Sequence, residues 1–341
     1  MTAKKVIPIL VCVVVAALSL FLSVDRPALP DWNARADFAA ALDAQARVTA
    51  EWIDHDGVVG TAVGLGPSGQ PVVKVYLTAA GVATLPLSVA GVSVIPEITG
   101  RIQALPASDE DGARRGFERP VPIGVSAGHP SVTAGTIGAR VTDGTDVFAL
   151  SNNHVAAANN DGNEGDNLLQ PGVADGGRDP DDALGTLADY EPIGFCRSLM
   201  CPSNHIDAAI VRTTTDNLGT ATPDGGYGSP RIHTDEAKLG MTVQKFGRTT
   251  GHTVGRVTGI NATIDVNYRT GTARFVDQIV ISDGAFSGPG DSGSLVVTKG
   301  LLLGDRRPVA LLFAGSNVNT IANPIDLVLD RFGVTVDGEG R

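Results

Sequence analysis

From Pro120 to the C-terminus the chain is a succession of short apolar blocks. VFALS (147–151), IDAAIV (206–211), MTVQKF (241–246), FVDQIVIS (275–282), SLVVT (294–298) and PVALLFAG (308–315) are separated by clusters of Gly, Asn, Asp and Thr. Blocks of this length are too short for core helices, and the clusters between them are turn formers. The pattern predicts an all-β barrel or sandwich. A load of 42 Gly and 20 Pro in 341 residues fits many tight connections. The end of the chain departs from the pattern. In NPIDLVLDRFG, Ile325, Leu327, Val328, Leu329 and Phe332 fall at helical spacing, with Pro324 near the start and Gly333 as stop.

What precedes Pro120 has a different organisation. Lys4 and Lys5 introduce an apolar stretch from Val6 to Val24, so residues 1–26 read as a signal peptide or an uncleaved hydrophobic helix anchoring the chain in a membrane. Either places the rest of the chain outside the cytoplasm, secreted or anchored. Residues 33–105 read as a small α/β domain. Phe38, Ala41, Leu42, Ala46, Thr49 and Ile53 mark one amphipathic helix. VVGTAVGL and QPVVKVYL follow as strands around the turn GPSG, a helix or turn spans 79–90, and GVSVIPEIT is a third strand. Residues 106–119 mix charge, Gly and Pro without apolar periodicity and read as a linker. The α/β unit is a cleaved prodomain, a recruiting or regulatory module, or a spacer; its residues do not choose among these.

A formal charge of −11 repels phosphate backbones, so nucleic acid is not an expected partner. Of the three cysteines, Cys196 and Cys201 lie close together in the exported part, where they read as a disulfide or as two idle thiols. With His205 they make an incomplete zinc set, and neither a metal nor another cofactor is expected.

Three segments of the β-rich region carry chemistry. SNNHVAAANN sets His154 directly after an apolar strand, NHIDAAIVR sets Asp207 directly before one, and FSGPGDSGSLVV sets Ser292 in a glycine-rich turn leading into another. A serine hydroxyl is a weak nucleophile until a base takes its proton, and that base needs a third group to hold its tautomer. The chain offers one residue for each role. Acyl transfer also needs backbone N–H groups aimed at the developing oxyanion, which Gly290 and Ser292 are placed to supply.

GDSGS with NNHV upstream, in the chain order His, Asp, Ser, resembles the trypsin-like serine proteases of the chymotrypsin fold. GRTTG, FSGPGDSGS and LLFAGS are closer to a bacterial and plant branch of them. The resemblance covers about 120–337 and implies a mainly β, double β-barrel protease domain (120–338) with a C-terminal helix. It implies a serine endopeptidase acting on polypeptide through an acyl-enzyme, with His154, Asp207 and Ser292 as triad and Gly290 and Ser292 as oxyanion hole. Phe313, Ala314 and Gly315 would form the strand that pairs with substrate and walls the specificity pocket, with Phe286 at the pocket floor. No Ile-Val-Gly-Gly start precedes the barrel, so the resemblance implies folding to an active form without an inserted amine beside Asp291. The alternative is a catalytically silent binding or scaffolding protein of the same shape.

Overall fold

The computed structural model describes residues 29–104, 113–198, 200–282, 285–300 and 306–340. The export segment expected at 1–26 and residues 106–112 of the expected linker lie outside the described residues. Among the described residues no helix is long and apolar enough to cross a membrane.

The first strands are β1 (Val58–Leu65), β2 (Pro71–Leu77), β3 (Ser88–Val89), β4 (Val92–Ile98) and β5 (Gln103–Ala104). Next come β6 (Ser126–Ala127), β7 (Gly135–Thr136), β8 (Ala139–Thr142), β9 (Val147–Ser151) and β10 (Asn167–Leu169). They are followed by β11 (Ala183–Tyr190), β12 (Ser203–Asn204), β13 (Ala209–Thr213), β14 (Thr242–Gly247) and β15 (Gly251–Tyr268). The last are β16 (Gly271–Ser282), β17 (Leu295–Thr298), β18 (Pro308–Gly315), β19 (Asn319–Pro324) and β20 (Thr335–Val336). The fold is mainly β, as the alternating blocks require.

Two sheets organise it. One has the order β10-β11-β13-β9-β8-β20. In the other, β16, β19, β18, β17, β14 and β15 pair antiparallel in that order, and β15 pairs back onto β16, so these six close into a ring. A closed ring leaves no unpaired edge. Each body has an aliphatic core: Ile137, Leu168, Leu187 and Val211 in the first, Val243, Val257, Ile281 and Leu312 in the second. The C-terminal helix Ile325–Phe332 lays Ile325, Val328 and Leu329 against Leu150, Leu295 and Leu311. It ends at Gly333, whose φ of +63° suits a residue without Cβ.

The residues expected to form a separate α/β domain are built into the second sheet, and Trp32–Arg341 is one compact unit. β15 has eighteen residues, more than the ring uses. Its first part, 251–256, pairs with β14, and along the same edge 259–264 pairs with β1. β1 continues into β2, β4 and β3. The helix Ala36–Trp52 covers β1 and β2 through Phe38, Ala41, Ala44, Gln45 and Val48. The buried face is therefore rotated from the expected one: Ala46 is exposed and Gln45 is buried. Gln45 sits inside because its amide is bonded on both ends, donating to Thr61 Oγ1 (2.9 Å) and accepting from Asn261 Nδ2 (3.0 Å). The stretch 79–90 holds no helix; its regular structure is β3.

Candidate active site

The two sheets contribute different residues to one place. β9 ends at Ser151, and the chain turns into the short helix Asn153–Ala156 carrying His154. Asn152 Nδ2 donates to Asp207 O (2.7 Å), and Asn153 Nδ2 donates to Glu191 O (2.7 Å) and Asn160 Oδ1 (2.7 Å). Both asparagines thus hold the loop. Asp207 lies just before β13, with no exposed surface. Asn323 on β19 clamps its backbone, accepting from Asp207 N (3.2 Å) and donating to Asp207 O (3.1 Å).

His154 and Asp207 meet. His154 Nδ1 lies 2.6 Å from Asp207 Oδ2, and the His154 backbone N–H donates to Oδ1 at 3.2 Å. Tyr268 Oη also donates to Oδ2, at 2.8 Å. A carboxylate taken out of water needs hydrogen-bond donors in place of its lost hydration, and Asp207 has three. His154 Nε2 is buried, with no hydrogen-bond partner among the described residues.

Ser292 sits in the turn before β17 and is fully buried. Gly290 at φ +101° and Gly293 at φ +96° give the turn its shape, and both values exclude ordinary side chains. Thr136 fixes the turn to the neighbouring strand: its N–H donates to Ser292 O (2.8 Å) and its hydroxyl to Gly290 O (2.8 Å). Among the described residues neither the Gly290 N–H nor the Ser292 N–H donates a hydrogen bond. Ser292 Oγ donates to Phe313 O at 3.2 Å rather than to His154.

Asp291, beside the serine, is fully buried as well. Its carboxylate accepts from the N–H groups of Thr249 (2.8 Å), Thr250 (3.2 Å) and Gly288 (2.9 Å) and from Thr250 Oγ1 (2.6 Å). Lys245 Nζ lies 3.4 Å away, also fully buried, and donates to Gly251 O (2.9 Å) and Thr250 Oγ1. Burial pulls the Lys245 ammonium below the usual lysine range, and Asp291 opposes that pull. A lysine thus stands beside Asp291, where no terminal amine was expected.

Of the residues expected to shape a specificity pocket, Gly315 lines a cleft of about 620 Å³. Its other walls are Gly288 and Pro289 on one side and Thr99, Gly100 and Gln103 on another. Phe286 is packed with Met241, Val243 and Val257 inside the ring, and its neighbour Ser287 reaches the cleft. Phe313 and Ala314 belong to the core around Tyr268 and Phe275.

The edge of β18 is not free. β5 pairs with it antiparallel, Ala104 opposite Ala314 and Gln103 opposite Gly315. The preceding residue, Ile102, is fully buried among Tyr268, Phe275 and Phe313. Its carbonyl accepts from Asn267 N (3.0 Å) and Asn267 Nδ2 (3.2 Å). Sequence reading missed this segment, since two residues of strand carry no periodicity.

Cys196 and Cys201 are disulfide-bonded, which fits an oxidising compartment. Among the described residues no group of His, Cys, Asp and Glu is arranged to hold a metal ion.

No family model and no curated protein matches the chain. Among solved structures it is similar to Thermobifida fusca protease A, at 20% identity and a TM-score of 0.45, over 64% of this chain and 98% of that one. Cellulomonas bogoriensis chymotrypsin matches at 22% identity and a TM-score of 0.43, over 65% of this chain and 100% of that one. Nocardiopsis protease matches at 18% identity and a TM-score of 0.43, over 63% and 97%. All three are bacterial serine proteases of the chymotrypsin fold.

Proposed function

We propose that this protein is a serine endopeptidase in which Ser292 is the nucleophile, His154 the general base and Asp207 the group that orients the base. The observation that carries the reading is the state of the imidazole. Nδ1 faces a carboxylate, which only accepts, so in the neutral ring Nδ1 holds the proton and Nε2 keeps its lone pair. Nε2 is buried and unpartnered among the described residues. That is the tautomer and the vacancy a general base needs.

In this reading an extended polypeptide lies along β18. Ser292 turns about χ1 from Phe313 O toward His154, and Oγ attacks the substrate carbonyl carbon while Nε2 takes its proton. The carbonyl oxygen becomes an oxyanion held by the N–H groups of Gly290 and Ser292. His154 then protonates the leaving amine, the C–N bond breaks, and an ester remains on Oγ. Water, deprotonated by Nε2, attacks that ester and frees Ser292. The cleft beside Gly315 is the proposed recess for a substrate side chain.

Three observations favour the silent alternative. The Ser292 hydroxyl faces Phe313 O, the residue is sealed from solvent, and β5 occupies the strand a substrate would use. We read that state as the resting form of an enzyme covered by its own segment. Labelling with a fluorophosphonate probe separates the two. The enzyme gives an adduct on Ser292 in the full chain or in the cleft-opening variant Ile102→Ala, abolished by Ser292→Ala and His154→Ala. A folded Ile102→Ala protein that never labels leaves only the silent reading.

A further inference from the structure

Tyr268 ends β15, at the tip of the long β15–β16 hairpin and far in sequence from the three residues assigned to catalysis. Its hydroxyl donates to Asp207 Oδ2 at 2.8 Å, the same oxygen that faces His154 Nδ1. Its ring meets the imidazole edge-on, with centroids 5.8 Å apart at 67°. Phe195 (5.7 Å, 85°) and Phe275 (6.2 Å) pack the same ring on other sides. The phenol thus touches both partners of the His–Asp pair and is itself held by aromatic neighbours.

Resting on the proposed function, we propose that Tyr268 is a positioning residue for the Asp207–His154 pair. Two features give it that role. Asp207 hangs from a loop, and rotation about χ2 can swing its carboxylate plane out of line with the imidazole. The phenol donor and the His154 N–H, on opposite oxygens, hold that plane so that one oxygen stays aimed at Nδ1. The phenol is also a constant donor, because burial first, and the Asp207 charge second, push it well above the usual tyrosine range. It therefore stays protonated around neutral pH.

The hairpin tip is itself seated. Asn267, one residue before, donates twice to Ile102 O and accepts from Thr272 Oγ1 at 3.0 Å. Ile102 packs in the cluster that holds Tyr268. The donor to the catalytic aspartate thus depends on a contact with the N-terminal region.

The test is Tyr268→Phe in the full chain, which keeps the ring and removes only the hydroxyl. The first readout is the rate of fluorophosphonate labelling at Ser292. One charge-assisted hydrogen bond lost from the orienting group is expected to slow it about tenfold. The second is the low-field proton resonance of the His154 Nδ1–H, read in a Ser292→Ala background, which needs no activity. It is expected to move, because the acceptor oxygen loses a competing donor. Phe275→Leu loosens the same cluster without touching the carboxylate, so its resonance should stay in place. A folded Tyr268→Phe protein with an unmoved resonance overturns the proposal, whatever its labelling rate, since the hydroxyl is then only a satisfied core group. A resonance that moves while labelling stays at the wild-type rate overturns it equally. If nothing labels even when Ile102→Ala is added to open the cleft, the endopeptidase reading fails, and the resonance alone decides whether Tyr268 sets the geometry of the pair.

Discussion

Ile102→Ala should uncover the serine. Ile102 has no exposed surface and packs on Tyr268, Phe275 and Phe313, so its side chain is what anchors the segment that pairs with β18. Truncating a fully buried isoleucine costs about 2–5 kcal/mol. That cost falls on the covered state alone, because in the uncovered state residue 102 is in water in both proteins. The lower end applies here: the segment lies at a sheet edge and relaxes, and its carbonyl keeps both hydrogen bonds from Asn267. A shift of about 2 kcal/mol multiplies the uncovered fraction about 30-fold while the covered state dominates. Labelling of Ser292 by a fluorophosphonate is proportional to that fraction, so its rate should rise by the same factor. Amide exchange over residues 103 and 104, measured in Ser292→Ala protein, should accelerate in parallel. Faster exchange with an unchanged labelling rate would refute the claim that β5 gates the serine. Unchanged exchange would refute the claim that Ile102 holds β5.

Other perturbations test other parts of the site. Lys245→Met removes one partner of a fully buried pair and should cost about 3 kcal/mol in urea denaturation, the low end for such pairs because Asp291 keeps four other donors; a loss below about 1 kcal/mol would show the pair to be idle. Gly293→Ala forces a Cβ to within 2.1 Å of Thr136 O at φ +96°, so it should destabilise by more than about 2 kcal/mol and abolish labelling. Tyr76 and Tyr268 are both held well above the usual tyrosine range by burial, while their unfolded counterparts ionise near pH 10. Above that pH the unfolded chain binds fewer protons than the folded one, so these two phenols should lower stability by about 3 kcal/mol per pH unit. Phenolate absorbance of the native protein should accordingly stay at or below half that of the unfolded chain, which has four tyrosines; full ionisation in the folded state would contradict the burial.

Legibility followed locality. The strand-end placement of His154, Asp207 and Ser292 could be read because each lies beside an apolar block that became β9, β13 or β17, so the strand and its neighbouring residue were visible in one window. The C-terminal helix was legible for the same reason. β15 was not recognised although Ala262, Ile264, Val266 and Tyr268 alternate in it, because glycines and polar residues dilute its first half. The separate domain was expected because nothing local says that β1 pairs with a strand some two hundred residues later. A hint existed: VVGTAVGL lacks the alternation of a strand with one face in water, and it is buried on both. Gln45 and Lys245 were hidden by their polarity, since only their partners explain why they are inside. Tyr268 looks in sequence like any aromatic of an alternating strand.

The N-terminal strands have a structural reason to be where they are. β15 runs past the ring, and its continuation exposes a row of backbone groups that β1 covers. That pairing carries the chain to Ile102, between the hairpin tip and β18. The same residue then does two opposed things: its carbonyl steadies Asn267, next to the donor on Asp207, and its segment covers the strand a substrate needs. Removing the whole N-terminal region would open the cleft and also strip β15 of an edge partner, so the gain in access would be offset by a looser Tyr268. Displacing residues 102–104 alone costs the two bonds from Asn267 to Ile102 O but leaves the β1–β15 ladder intact. Under the proposed function, the more active form is the one in which the short strand has left β18 while the long hairpin remains paired.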